Sequence, residues 1–283
     1  MHEDITGIAD GEVKKMIIIG EKINGFIPRT LEAIEAKDEN YIREIAKKQA
    51  ECGADFIDVC AGTAPEIERE TIKWLIGLVQ DTVETPLCID SSDTDVLLEM
   101  MKLANKPGLI NSISGEAGKC EAILPAIQGT DWKVVALTCD KNGIPTDPEV
   151  KFRIADELIQ QALAHDIPLD HIFIDPLVTT LATTGDSLLS FNEAVRKIKG
   201  KYPDVHITSG LSNISFGMPY RKAINTQFLA LAMSAGMDSA IMDPTSADMR
   251  STLYATDALL GRDEYCMNYL TAYRQGLIGP AKK

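Results

Sequence analysis

Short β-rich runs alternate with longer stretches of helical periodicity along this 283-residue chain, and no other feature constrains its fold so tightly. The runs with strand character are Met16 to Gly20, Phe56 to Cys60, Leu87 to Asp90, Leu109 to Ser112, Val134 to Leu137, Ile172 to Asp175, Val205 to Thr208 and Ser239 to Met242. Between them the apolar spacing predicts helices. One covers Glu39 to Glu51, with Tyr41, Ile45, Ala46 and Ala50 on one face, and stops at Gly53. Another covers Pro65 to Val79, with Pro65 in its first turn and Glu66, Glu68 and Glu70 where the helix dipole favours acids. Later ones are expected over Asp93 to Ala104, Cys120 to Ile127, Pro148 to Ala164, Leu188 to Ile198, Lys222 to Ala235 and Ala247 to Leu260.

Alternation of this kind favours βα units on a parallel sheet. Eight such units with no Pro/Gly/Ser-rich linker between them indicate one domain, and the closed solution is the (β/α)8 or TIM barrel, which takes about 250 residues. The open doubly wound sheet normally has fewer strands and a Gly-rich turn after the first. Here that turn reads Gly20-Glu21-Lys22-Ile23-Asn24-Gly25, which is not G-x-G-x-x-G. The barrel domain is expected over residues 16–283, with residues 1–15 an N-terminal extension.

Charge and cysteine usage exclude several function classes. Lys and Arg number 28 against 42 Asp and Glu, a net charge of -14, and a surface so acidic repels a phosphate backbone, so no nucleic-acid partner is expected. No apolar run approaches the roughly 20 residues that span a bilayer, and Met1-His2-Glu3-Asp4 is acidic where a signal peptide would be basic. A cytoplasmic protein without a membrane partner is expected. The cysteines at 52, 60, 88, 120, 139 and 266 form no C-x-x-C pair and read as reduced, mostly buried thiols.

In a barrel, chemistry sits at the C-terminal ends of the strands and in the loops that follow. Those positions hold Glu21 and Asn24, then Asp58 and Cys60, Asp90 with Ser91 and Ser92, Asn111 with Ser112, Thr138 and Asp140, Asp175, Ser209 to Asn213, and Asp243. A single Asp after a strand is ordinarily a helix cap or turn residue. Several converging on one mouth are costly to bury unless a ligand satisfies them. Carboxylates and amide oxygens accept hydrogen bonds, so the mouth suits a flat molecule rich in N–H donors. No His stands at a strand end with a partner, and neither G-x-S-x-G nor H-E-x-x-H occurs. A Mg²⁺ site from Asp58, Asp90 and Asp175 is the metal alternative. The interleaved amides and the lack of paired acids count against it, so no metal is expected.

The motifs IIGEKING (18–25), CIDS (88–91), LINSIS (109–114), LTCDKNGIP (137–145), FIDPL (173–177) and GLSNISFG (210–217) together resemble the pterin-binding barrel of the methyltetrahydrofolate:corrinoid methyltransferases. That family includes the folate module of cobalamin-dependent methionine synthase and an acetogen enzyme that methylates a corrinoid protein. The resemblance runs in order from about residue 16 to 265 and implies methyl transfer between N5 of tetrahydrofolate and the cobalt of a cobalamin carried by a separate corrinoid protein. By position it implies that Asp90, Asn111 and Asp175 hold the pterin and that Asn213 is the mobile asparagine near N5. It places Ser212, Glu21, Asn24 and Asp58 around the substrate, and Arg221 near the p-aminobenzoyl-glutamate end. Family members are typically homodimers.

Two positions depart from the family pattern. Cys60 stands where Asn is frequent, and Phe216 stands where the acetogen enzyme has Gln and methionine synthase has Phe. A dihydropteroate synthase-like enzyme and an idle folate-binding subunit remain as alternatives; the former needs a basic pyrophosphate cluster that this acidic chain does not show. Zinc methyltransferases would require His beside Cys60 and Cys139. The direction of transfer stays open between acetogenic carbon fixation and the methylotrophic demethylation of amines.

Overall fold

The computed structural model describes residues 16–279, and the N-terminal extension expected over 1–15 lies outside them. Eight strands, β1 (Ile17–Asn24), β2 (Phe56–Cys60), β3 (Leu87–Asp90), β4 (Leu109–Gly115), β5 (Lys133–Asp140), β6 (Ile172–Asp175), β7 (His206–Ile207) and β8 (Ser239–Met242), form one sheet. All pairings are parallel and run in the order β7-β6-β5-β4-β3-β2-β1-β8. The remaining seam is closed by a bridge between Gly210 and Ile241, with Ile241 N donating to Ser209 O at 2.9 Å. The chain is a single-domain (β/α)8 barrel, as its strand–helix alternation requires.

The surrounding helices are α1 (Pro28–Glu35), α2 (Glu39–Glu51), α3 (Pro65–Gln80), α4 (Thr94–Met101), α5 (Lys119–Ile127), α6 (Pro148–Ala164), α7 (Ser187–Lys201), α8 (Arg221–Ala235), α9 (Ala247–Leu259) and α10 (Met267–Arg274). Their starts follow local chemistry. Asp38, Asp93 and Asp147 each accept a backbone N–H from the first turn of α2, α4 and α6, and proline occupies the first turn of α1, α3 and α6. Two helices, α1 and α10, were not expected from the spacing.

Three strands run further than their apolar runs indicate. The expected first strand stops at Gly20, but β1 continues to Asn24, so Glu21 and Asn24 lie on a strand and not in the loop after it. The reason is pairing: Ile23 and Asn24 align with Val59 and Cys60 of β2. Likewise β4 runs on past Ser112 to Gly115, and Thr138 and Asp140 lie within β5. Backbone ladders formed with a neighbour carry these polar segments, which intrinsic preference alone would leave as loop. At the rim, Gly25 meets the β2 loop so closely that a Cβ there would lie 1.8 Å from Ala61 O, so only glycine fits.

Two apolar shells hold the barrel. The outer one lies between helices and strands, and the inner one is a stack of Ile19, Phe56, Cys88, Leu109, Val135 and Phe173 with Ile17, Leu137 and Ile241 against it. Burying a side chain such as Phe173 contributes about 1.5–3 kcal/mol. At the base of the stack the His206 ring lies 4.6 Å from that of Phe173, and its Nδ1 is 3.3 Å from Asp238 Oδ2. His206 therefore has a carboxylate partner. It sits at the start of β7, away from the mouth. Asp238 also accepts from Ile207 N at 2.8 Å and Lys199 Nζ at 2.7 Å, which ties the two ends of the seam together.

Candidate functional site

Strand alternation builds the mouth directly on the inner apolar stack. Two residues beyond each stack position, a side chain on the same face points into the barrel one layer higher. Those residues are Glu21, Asp58, Asp90, Asn111, Asp175, Thr208 and Asp243; only β5, with Leu137, lacks a polar group in this layer. The structure thus brings Glu21, Asp58, Asp90, Asn111 and Asp175 to one end of the barrel.

The electrostatics of this layer follow from burial. Asp58 is 1% exposed, and its Oδ1 has no hydrogen-bond partner among the described residues. Desolvation and the neighbouring Asp90 charge push its pKa well above the usual carboxylate range, against hydrogen bonds from the Cys88 thiol and the Asn24 side chain. Asn24 Oδ1 accepts from Phe26 N at 2.9 Å, which turns its amide nitrogen toward Asp58. Burial raises Asp90 to about 6 even though the Cys60 thiol donates to it. Cys60, one of the two departures from the family pattern, is buried and held protonated by desolvation and by those two carboxylates. It supplies a neutral donor to Asp90, as an amide there could. Asn111 pairs in register with Asp90 and is buried. Asp175 is raised to about 6 by burial, while its Oδ1 accepts from Leu177 N at 2.8 Å. Glu21 is raised to about 7 by burial and then by Asp243, whose carboxylate accepts from Thr245 N at 2.9 Å and Thr245 Oγ1 at 2.6 Å and lies 3.5 Å from Lys22 Nζ.

Buried carboxylates and amides with unanswered acceptor sites are costly as they stand. The Thr138 and Ser209 hydroxyls are also buried without partners among the described residues. N–H groups from a ligand would satisfy this layer, whereas a phosphate or carboxylate would be repelled. Among the described residues, no group of three or more His, Cys, Asp or Glu is arranged to hold a metal ion.

Asn213 lies in a one-turn 3₁₀ segment, Leu211–Ser215, that follows β7. Its backbone N donates to Gly210 O at 3.1 Å, and its side-chain nitrogen crowds Gly210, where a Cβ would lie 2.9 Å from Nδ2. Glycine at 210 therefore leaves the amide room. Asn213 does not cap the next helix, because the residue before α8 is Tyr220 and no side chain caps it. Arg221 braces the same loop, donating from an Nη to Ser212 O at 2.8 Å and from Nε to Ser215 Oγ at 3.0 Å, with its guanidinium 4.6 Å from the Phe216 ring. Arg221, expected near a substrate tail, places two of its nitrogens on the loop that carries Asn213. Ser212 contributes its carbonyl to that brace.

One residue of the site escaped the sequence reading. Lys151 is 2% exposed and donates to Leu177 O at 2.8 Å, directly behind Asp175. The signal was present in α6, where Lys151 shares the apolar stripe of Ile154, Ala155, Leu158 and Ile159, a position that exposes no lysine to water.

Comparison with known proteins follows the same lines. The family model for pterin binding enzymes matches residues 30–243. The chain is 53% identical over 269 residues to the methylcorrinoid:tetrahydrofolate methyltransferase of Eubacterium limosum, covering 94% of this chain and 99% of that one. It is 30% identical over 250 residues to methionine synthase of Mycobacterium tuberculosis, covering 84% of this chain and 21% of that longer protein. Among solved structures, dihydropteroate synthase of Xanthomonas albilineans with 4-aminobenzoic acid superposes with a TM-score of 0.67 at 20% identity, covering 88% of this chain and 94% of that one, a likeness of fold.

Proposed function

The chain belongs to the pterin binding enzyme family, and from that premise we propose that it is a methyltransferase that carries a methyl group from the cobalt of a separate methylcorrinoid protein to N5 of tetrahydrofolate. The observation that carries this reading is the layer of acceptors Asp58, Asp90, Asn111 and Asp175 on an apolar stack, with an amide, Asn213, on the adjoining loop. Its near full-length likeness to a protein named for this reaction supports the choice of methyl donor and acceptor.

In this reaction the N5 lone pair attacks the methyl carbon, the electron pair of the cobalt–carbon bond stays with cobalt, and N5 loses its proton. Asp90, Asn111 and Asp175 accept from the pterin ring N–H and exocyclic amine groups and fix the plane of the ring. Asn213 presents its carbonyl oxygen to the departing N5 proton in this direction. In reverse it presents its NH₂ to the nitrogen that gains electron density. Phe26, Phe216 and Tyr220 stand exposed on the loops of the mouth and offer the corrinoid protein an apolar rim.

The assay mixes the chain with methylcobalamin and tetrahydrofolate. Methyltetrahydrofolate is the expected product. Folate binding without product would identify an idle binding subunit, and condensation of a pterin diphosphate with 4-aminobenzoate would identify a dihydropteroate synthase.

Folate binding should depend on pH with a defined sign. Pterin N–H donors favour ionised Asp90 and Asp175, which are each raised to about 6 without ligand. Affinity is therefore expected to weaken as pH falls below about 6, by up to about tenfold per pH unit for each carboxylate that must ionise, and binding near that pH should release protons. Calorimetry in buffers of different ionisation enthalpy measures the release; a Kd unchanged between pH 5 and pH 8 would contradict ionised acceptors.

The same proposal includes a homodimer and a cytoplasmic location. Leu259, Tyr265, Met267 and Tyr273 leave an exposed apolar face around α9 and α10, and analytical ultracentrifugation showing only monomer at micromolar concentration would remove the dimer. The six cysteines, all unpaired, fit a reducing compartment; fractionation that places the chain outside the cytoplasm would exclude that location.

A further inference from the structure

Lys151 is among the largest side chains fully buried in this protein, and folate is not expected to touch it. It stands on the second turn of α6, and its Nζ donates to Leu177 O at 2.8 Å. The other end of the same residue, Leu177 N, donates to Asp175 Oδ1 at 2.8 Å. Leu177 adopts φ 52, in the left-handed region that a branched side chain rarely enters, so the turn is held by these two contacts and not by the preference of its residue. The backbone N–H of Gly210, the residue that opens the Asn213 loop, helps to lower the Asp175 pKa. Two hydrogen bonds join the loops after β6 and β7: Leu181 N to Ile214 O at 3.0 Å, and Thr180 Oγ1 to Phe216 O at 2.5 Å.

We propose that Lys151 is a positioning residue that, through the carbonyl of Leu177, orients the Asp175 carboxylate for the pterin and sets the Asn213 loop, which is bonded to the loop after β6. This inference rests on the proposed folate site. The groups that face the pair are Asp186 before α7, which draws on the lysine, and Cys139 at the end of β5, which feels the Asp175 charge. Burial lowers the lysine to about 8, opposed first by Asp175 and then by Asp186, so it carries its charge at neutral pH. A cation held below Asp175 keeps that carboxylate ionised as well as oriented.

The test compares wild type with Lys151→Met, which keeps the volume and removes both donor and charge, and Lys151→Gln, which removes the charge but keeps an N–H donor on a shorter side chain. Calorimetry with tetrahydrofolate comes first on wild type, because absence of heat there refutes the folate site itself and leaves the lysine beside the point. With wild type binding, Lys151→Met is expected to raise the pH midpoint of folate binding by about one unit or more. At neutral pH it should weaken binding by about tenfold and slow methyl transfer at saturating folate by a further factor of about ten. Lys151→Gln should show the shift in midpoint with a smaller loss of rate. Folded variants with the wild-type midpoint and rate would overturn the inference, as would failure of both neutral variants to fold, which would make the lysine purely structural.

Discussion

Asn213→Ala is expected to slow methyl transfer by about 10² or more while tetrahydrofolate affinity changes by less than about tenfold. The asymmetry follows from where the amide sits. The layer that would hold the pterin is built on strands β2, β3, β4 and β6, whereas Asn213 rides on a separate loop after β7. Truncation at Asn213 leaves that loop its main supports, since Arg221 holds the Ser212 carbonyl and the Ser215 hydroxyl, and the Asn213 backbone bond to Gly210 needs no side chain. What is lost is a group that can accept the N5 proton or donate to N5 as its charge changes, an interaction that strengthens only as the methyl moves. Single-turnover transfer and folate calorimetry on the same preparation separate the two effects. Equal losses in rate and affinity would show that Asn213 merely binds.

Asp90→Asn should produce opposite changes in binding and stability. A hydrogen bond to a charged group contributes about 1.5–3 kcal/mol, so the neutral amide is expected to weaken folate binding by roughly 10- to 100-fold. The ligand-free protein should become more heat-stable. The sign follows from the carboxylate: burial raises Asp90 from 3.8 to about 6. Its neutral form is therefore the one the fold prefers. That preference stabilises fully below the unfolded value and is lost as pH rises through about 6, so at pH 7.5 the ionised group costs on the order of 2–3 kcal/mol. The variant's Tm should exceed that of wild type at pH 7.5, with the gap closing near pH 4. A lower Tm at pH 7.5 together with unchanged folate affinity would remove Asp90 from the binding layer. Stability given up at a site that recognises substrate is a common feature of enzymes.

Much of this site was legible in one dimension because its basis is local. A strand repeats every two residues, so the pairs Phe56 and Asp58, Cys88 and Asp90, Leu109 and Asn111, and Phe173 and Asp175 already state that an apolar side chain points inward with a polar one above it. Proline in first helical turns and aspartate before them marked where the helices begin, and their alternation with the strands left the barrel as the closed solution. The six short motifs in order pointed to the family that the comparisons show.

Other features depended on partners distant in sequence. The extension of β1 through Glu21 to Asn24 needed the edge of β2, and the barrel closed across a strand of only two residues because Asp238 reaches Ile207, Lys199 and His206. Arg221 became a brace for the Asn213 loop once Ser212, Ser215 and Phe216 surrounded it. Lys151 acquired a place behind Asp175 only when α6 packed against the turn after β6. By itself the sequence determined which side chains share a face, since backbone period is a property of neighbouring residues. The tertiary structure decided which of those groups are charged, braced or left waiting for a ligand, because burial and hydrogen-bond partners are properties of the packed whole.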